Sequence, residues 1–197
     1  MRHYINYKFE KATDISDAIV EDILGAWKPS SDILFSRDEA LSIIRNLISV
    51  ERSEFAMKNI CVLTSNDSVM GVTLSLEMSK VQAARQANIF GILSDIDNKK
   101  EFMTKLSRYN QCFQSLPKEN GVYLSKFSVA EPFRRQGIGR ILMEHFLDHY
   151  NSKRPIFLEV HKSNAVAIRL YEQYGFKKVI DPKGSEYDLM KRTQPTH

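Results

Sequence analysis

The chain has 197 residues, 43% of them hydrophobic and 26% charged, with a net charge of +4. That length suits one well-buried domain, residues 1–197, and the composition excludes a fibrous or disordered chain. No apolar run approaches the roughly 20 residues of a membrane span, the opening MRHYINYKFEKATD lacks the apolar core of a secretion signal, and Cys61 and Cys112 are too isolated for a disulfide framework or a zinc module.

From Thr13 to Trp27, the residues Ile15, Ala18, Ile19, Ile23, Leu24 and Trp27 recur at helical spacing and predict a first helix. Ser36 followed by Glu39 reads as a capping box that opens a second helix running through Val50. Two β-prone runs, 60–64 and 69–78, are joined by Ser65-Asn66-Asp67-Ser68, which predicts a hairpin. Residues 81–118 are polar and helix-leaning. Within them Phe102, Leu106, Tyr109 and Phe113 fall three and four apart, forming one apolar stripe expected to pack on the sheet as a helical insertion.

After Gly121 the pattern tightens into strand 122–129, helix 138–150, strand 156–160, helix 164–174 and a strand from Phe176. Two strands joined through a helix imply a parallel pair with a right-handed crossover. Asp181-Pro182-Lys183-Gly184 reads as a turn into a last strand, 186–190, antiparallel to the one before. The fold class expected is therefore α/β, with a central mixed sheet flanked by helices.

The most informative stretch is Val129-Ala130-Glu131-Pro132-Phe133-Arg134-Arg135-Gln136-Gly137-Ile138-Gly139-Arg140, which leaves a strand, turns at Pro132 and enters a helix. The first turn of a helix has N–H groups without internal partners, and glycine lets an anion come close to them. Arg134, Arg135 and Arg140 add positive charge. Taken alone, the stretch also fits a glycine-containing turn with solvated arginines. A dinucleotide fingerprint would need a third glycine where Leu142 stands, and a P-loop needs a Gly-Lys-Ser/Thr that is absent.

Arg134-x-x-Gly137-x-Gly139 after a strand ending in Val129 resembles the acetyl-CoA motif of the GNAT superfamily of N-acetyltransferases. A second block, from Leu158-Glu159-Val160 through Ser163-Asn164 and Leu170-Tyr171 to Gly175-Phe176, is similar to that of the bacterial ribosomal-protein alanine N-acetyltransferases. The resemblance covers residues 121–180. It implies a GNAT fold in which the main chain of Phe127, Ser128 and Val129 pairs with the pantetheine arm of acetyl-CoA. The amides of Arg135, Gln136, Gly137, Ile138, Gly139 and Arg140 would then hold the pyrophosphate.

Helix geometry places Asn164 and Tyr171 on one face, seven residues and nearly two turns apart. Asn164 is expected to touch the cofactor arm and Tyr171 to protonate the leaving thiolate, although a lone tyrosine is commonly a core residue bonded through its hydroxyl. The resemblance assigns the general base to Glu159, which could equally be an exposed strand residue, and a water chain could do the same work. The oxyanion is expected at the Val129 N–H.

The expected reaction is transfer of acetyl from acetyl-CoA to a primary amine by direct attack in a ternary complex. A non-catalytic acetyl-CoA sensor and a basic nucleic-acid binder are the alternatives. The charge of +4 forms no basic stripe, so no nucleic-acid or membrane partner is expected; the location is expected to be cytoplasmic, and a homodimer is allowed but not specified. No metal is expected either. His145 and His149 lie one turn apart, but Phe146 stands where a metalloprotease needs glutamate, and both share a side with Ile138 and Leu142, as partly buried histidines would.

Overall fold

The structure, a computed structural model, describes residues 7–113, 115–150, 154–179 and 185–193. The turn expected at Asp181-Pro182-Lys183-Gly184 lies outside the described residues. Among the described residues seven strands form one mixed sheet: β1 (Lys8–Lys11), β2 (Ile60–Ser65), β3 (Ser68–Glu77), β4 (Val122–Val129), β5 (Ile156–His161), β6 (Lys177–Lys178) and β7 (Tyr187–Arg192). Their order is β1-β2-β3-β4-β5-β7-β6. Among these strands β4 and β5 run parallel, and the expected helix crosses between them. β7 slips between β5 and β6, so the sheet does not follow chain order at this edge.

α1 (Asp17–Trp27) and α2 (Arg37–Ser49) bury Ile23, Leu24, Ile44 and Leu47 in the larger core. The capping box between Ser36 and Glu39 is formed as expected. α1 starts four residues later than the periodicity indicates, because Ser16 accepts from the Ile19 N–H and sets the start there. The hairpin turns at Asn66 and Asp67, whose φ values of 48° and 60° are those that favour a tight two-residue reversal.

The polar stretch that follows is two helices, α3 (Met78–Asp95) and α4 (Lys99–Gln111), with Asn98 capping the second through the Glu101 N–H. Met78, expected at the end of β3, instead opens α3. The stripe does not lie flat on the sheet: Phe102 and Leu106 join the core under α1 and α2, and Phe113 stacks on Tyr187 at 4.4 Å.

The opposite face carries α5 (Ile138–His149) and α6 (Ala165–Gln173), whose Met143, Phe146 and Tyr171 pack with Leu124, Leu158 and Phe176 in a second core. Gly175, at φ 83°, ends α6 in the left-handed conformation expected of it.

One irregularity positions the site. β4 pairs with β5 only from Val122 to Leu124, opposite Ile156 to Leu158, and beyond that point the strands part. At the same place the β3–β4 register shifts, giving β4 one extra residue at Ser125 and Lys126. Such a bulge bends a strand and re-aims its side chains. Ser125 and Lys126 therefore both reach Glu54 on the α1 side, while Phe127 packs toward Tyr171 on the other.

Candidate active site

The glycine-rich turn forms a cradle at the N-terminus of α5. Gly137 caps the helix at φ 84° and Arg135 sits at φ 62°, so the chain folds back sharply just before Ile138. Gly137 suits its conformation because a side chain there would be strained. Gly139 is different: a Cβ would make only ordinary contacts with Leu170 and Val129, at 3.6 and 3.7 Å. Among the described residues the amides of Arg135 through Gly139 have no protein acceptor, whereas the Arg140 amide, expected with them, is spent on the Gly137 carbonyl at 3.0 Å. Five N–H groups thus remain for an anion.

Arg134 also behaves differently from expectation. Its Nε donates to the Val129 carbonyl at 2.9 Å, and its guanidinium lies along Gly25 of α1, so it staples the turn to the strand instead of standing free. Asp22, one turn earlier on α1, is buried with one carboxylate oxygen unpartnered among the described residues; burial pushes its pKa up to about 6 against the pull of Arg134. Arg135, Gln136 and Arg140 are exposed.

Where β4 and β5 part, the main chain of β4 is left open. The Ala130 N–H bonds Met70, so by antiparallel alternation Ser128 faces β3 while the N–H and C=O groups of Phe127 and the N–H of Val129 face the gap, the Val129 carbonyl being already bonded by Arg134. Tyr171 stands on the α6 side of this gap, edge-on to Phe127 at 6.0 Å. It is 6% exposed and its hydroxyl has no hydrogen-bond partner among the described residues, unlike an ordinary core tyrosine. Burial pushes its pKa up, keeping it protonated. Asn164 caps α6 through the Ala167 N–H at 3.1 Å, which occupies its oxygen and leaves its NH2 exposed.

Glu159 is not an exposed strand residue: its side chain is 3% exposed. Its Oε2 accepts from Tyr123 at 2.5 Å and from Arg85 at 2.6 Å, while its buried Oε1 has no partner among the described residues. Arg85 also approaches Glu54 at 3.8 Å, and Lys126 reaches Glu54 at 2.7 Å. Burial alone would push the Glu54 carboxyl up, but Lys126, Arg85 and the hydrogen bonds of Lys126 and Ser125 bring it down to about 2. The backbone of Glu54 is held by Asn88, which accepts from its N–H at 3.1 Å. These groups line a cavity of about 240 Å³, which begins where the strands separate and continues between α1, α3 and α4.

Comparison with known proteins agrees with this geometry. Residues 85–176 match the model of the Acetyltransferase (GNAT) family. An N-acetyltransferase from Staphylococcus aureus superposes with a TM-score of 0.68 at 16% identity, covering 93% of this chain and 99% of that one. A PaiA N-acetyltransferase from Thermoplasma acidophilum, solved with coenzyme A, superposes at 0.54 with 15% identity, covering 96% and 100%. This is the GNAT fold.

In sequence, the ribosomal protein bS18-alanine N-acetyltransferase of Salmonella typhimurium is 42% identical over 57 residues, 28% of this chain and 38% of that protein. A spermine/spermidine N(1)-acetyltransferase of Bacillus subtilis is 34% identical over 64 residues, 30% of this chain and 41% of that protein. The chain therefore spans less than half the length of each of these two relatives.

Within the GNAT fold, the residues that sequence reasoning missed are those of the charged cluster: Glu54, Arg85, Tyr123, Ser125 and Lys126. The signal available for them was Ser125-Lys126, a polar pair inside the β-prone strand before the cradle, which does not announce a buried lysine. His145 and His149 flank Phe9 of β1, at 6.1 and 5.7 Å; His145 is half-buried, but His149 is exposed, contrary to expectation. Among the described residues no group of three or more His, Cys, Asp or Glu gathers to hold a metal, and no helix is long and apolar enough to cross a membrane.

Proposed function

We propose that this protein is an acetyl-CoA-dependent N-acetyltransferase, folded as one domain, that transfers acetyl to a primary amine by direct attack in a ternary complex. The observation that carries this reading is the juxtaposition of unpartnered amides at the start of α5 with the open edge of β4. A pyrophosphate would bind the amides of Arg135 to Gly139. The pantetheine arm would add to Phe127 and Val129 as an extra strand, with Ser128 holding β4 against β3 and Asn164 donating from the α6 side. Arg134 would fix the turn, while Arg135, Gln136 and Arg140 border the phosphate site.

The chemistry follows from what stands around the gap. The amine nitrogen attacks the thioester carbonyl carbon, and the oxyanion is stabilised by the Val129 N–H, which faces the gap. The amine proton passes toward Glu159 Oε1, the carboxylate oxygen left without a partner. Collapse breaks the C–S bond, and the Tyr171 hydroxyl gives its hydrogen to the departing sulfur before being reprotonated by the proton the amine released. Both cysteines are buried and neither lines the cavity at Glu159, which favours direct attack over an acyl-cysteine route. The bound-acceptor side would be walled by 81–118, an addition to the domain.

Incubation with acetyl-CoA and a mixture of primary amines tests the reading by thiol detection. Amine-dependent release of free coenzyme A, without an acetylated protein in intact mass spectra, is expected. Tight coenzyme A binding with no release in any mixture would contradict catalysis.

A further inference from the structure

The cavity beside Glu159 is built for a particular acceptor. Its far end is lined by Trp27, Phe55, Ile92, Phe102, Leu106 and Tyr109, and its near end by the cluster of Glu54, Glu159, Arg85 and Lys126. Those four formal charges cancel, and each is engaged: Arg85 with Glu159, and Lys126 with Glu54. The described cations lining the cavity are therefore already committed to carboxylates, so none is free to hold a carboxylate or phosphate on an acceptor. Beyond the cluster, the apolar end offers no counter-charge to a second ammonium, and burying an uncompensated charge is costly. Against this, two buried polar atoms of the lining have no partner among the described residues: the Tyr187 hydroxyl and Oε1 of Glu159, and of these Oε1, on a carboxylate, is the one suited to accept from an ammonium. The space is about 240 Å³, and a ring the size of benzene fits in roughly 150 Å³.

Resting on the transferase reading above, we propose that the acceptor is a small primary monoamine with an aromatic or alkyl body, held by its apolar part between α1, α3 and α4. The amine reaches Glu159 at the mouth, and the aromatic stripe formed by Tyr109 of α4 and Phe113 just beyond it acts as a specificity wall. Selection is by burial of the body, so uncharged length is rewarded and extra charge is rejected.

The test is a panel assayed by coenzyme A release: 2-phenylethylamine, tryptamine and a straight-chain series from butylamine to hexylamine, against spermidine, L-glutamate and a peptide with a free N-terminal alanine. The expected result is a kcat/KM at least tenfold higher for the arylalkylamines than for the charged acceptors and the peptide. Within the alkyl series, each methylene should add up to roughly fourfold until the cavity is full. Spermidine, glutamate or the peptide matching the arylalkylamines would overturn the proposal while leaving the transferase reading intact. Release with no amine at all would overturn both.

Ile89, half-buried on α3 and lining the cavity, provides a second check. Ile89→Trp should raise the KM for 2-phenylethylamine about tenfold with coenzyme A affinity unchanged. An unchanged KM in a folded variant would also overturn the proposal.

Discussion

The proposed cofactor and acceptor sides of the candidate site differ in what they offer a ligand. On the cofactor side, from β4 through α6, the groups on offer are main-chain amides at the start of α5 and the open edge of β4. On the acceptor side they are side chains: a buried four-charge cluster and an aromatic cavity supplied by α1, α3, α4 and the loop before β2. Main-chain recognition tolerates changes of side chain but depends on backbone conformation. Side-chain recognition is the reverse, and its buried charges must be fully paired to be tolerated at all. The same division predicts where substitutions will hurt.

The largest effects should come from the two groups at the junction. Glu159→Gln should lower kcat about 10²- to 10⁴-fold, the usual range for removing a general base. Tyr171→Phe should cost about 10²-fold while leaving stability unchanged, since its hydroxyl bonds to no described residue. Steady-state kinetics beside a coenzyme A titration would check both. A weakened coenzyme A affinity matching the loss in kcat would move these residues from chemistry to binding and blur the division.

Next in size is the stability carried by the charged cluster. The Glu54 carboxyl is lowered from 4.5 to about 2, so its contribution is fully present above pH 4.5 and is lost as the pH falls through 2. The difference corresponds to on the order of 3 kcal/mol. Denaturant unfolding at pH 7 should therefore show Glu54→Gln less stable by that order, with the gap narrowing below pH 4.5. A gap that does not change with pH would mean that the cluster acts through shape instead of charge.

The smallest effects in stability, and the sharpest contrast, lie in the two glycines. Gly137→Ala should cost about 1 kcal/mol of stability because of its positive φ. Gly139→Ala should leave stability equal or slightly higher, since alanine is the better helix former and meets only ordinary contacts. Yet Gly139→Ala should weaken coenzyme A binding about tenfold by placing a methyl group where the phosphates approach. If both variants lose stability alike and bind alike, the cradle is only a turn.

How much was legible in sequence follows the same line. Strand β4 falls on 122–129 as the pattern indicated, and the cradle, α5, α6 and Gly175 lie where the motif put them, because local turn and cap chemistry determines them. β1 was missed: KFEK has one apolar residue, too few for an alternation, and it is held as an edge by its pairing with β2. The cluster was missed for a different reason. Glu54 meets Lys126 across 72 positions and Arg85 meets Glu159 across 74, and no local pattern marks a charge whose partner is that distant. The insertion of β7 between β5 and β6 is likewise a property of the finished sheet.

If the proposed function holds, amides at the head of α5 and the parted edge of β4 form one site for a thioester carrier. Isothermal calorimetry with coenzyme A measures it most directly. Saturable heat is expected at one site per chain with a micromolar Kd, weakened by salt and by Gly139→Ala. No heat with coenzyme A at millimolar concentration, in a protein shown to be folded, would contradict it.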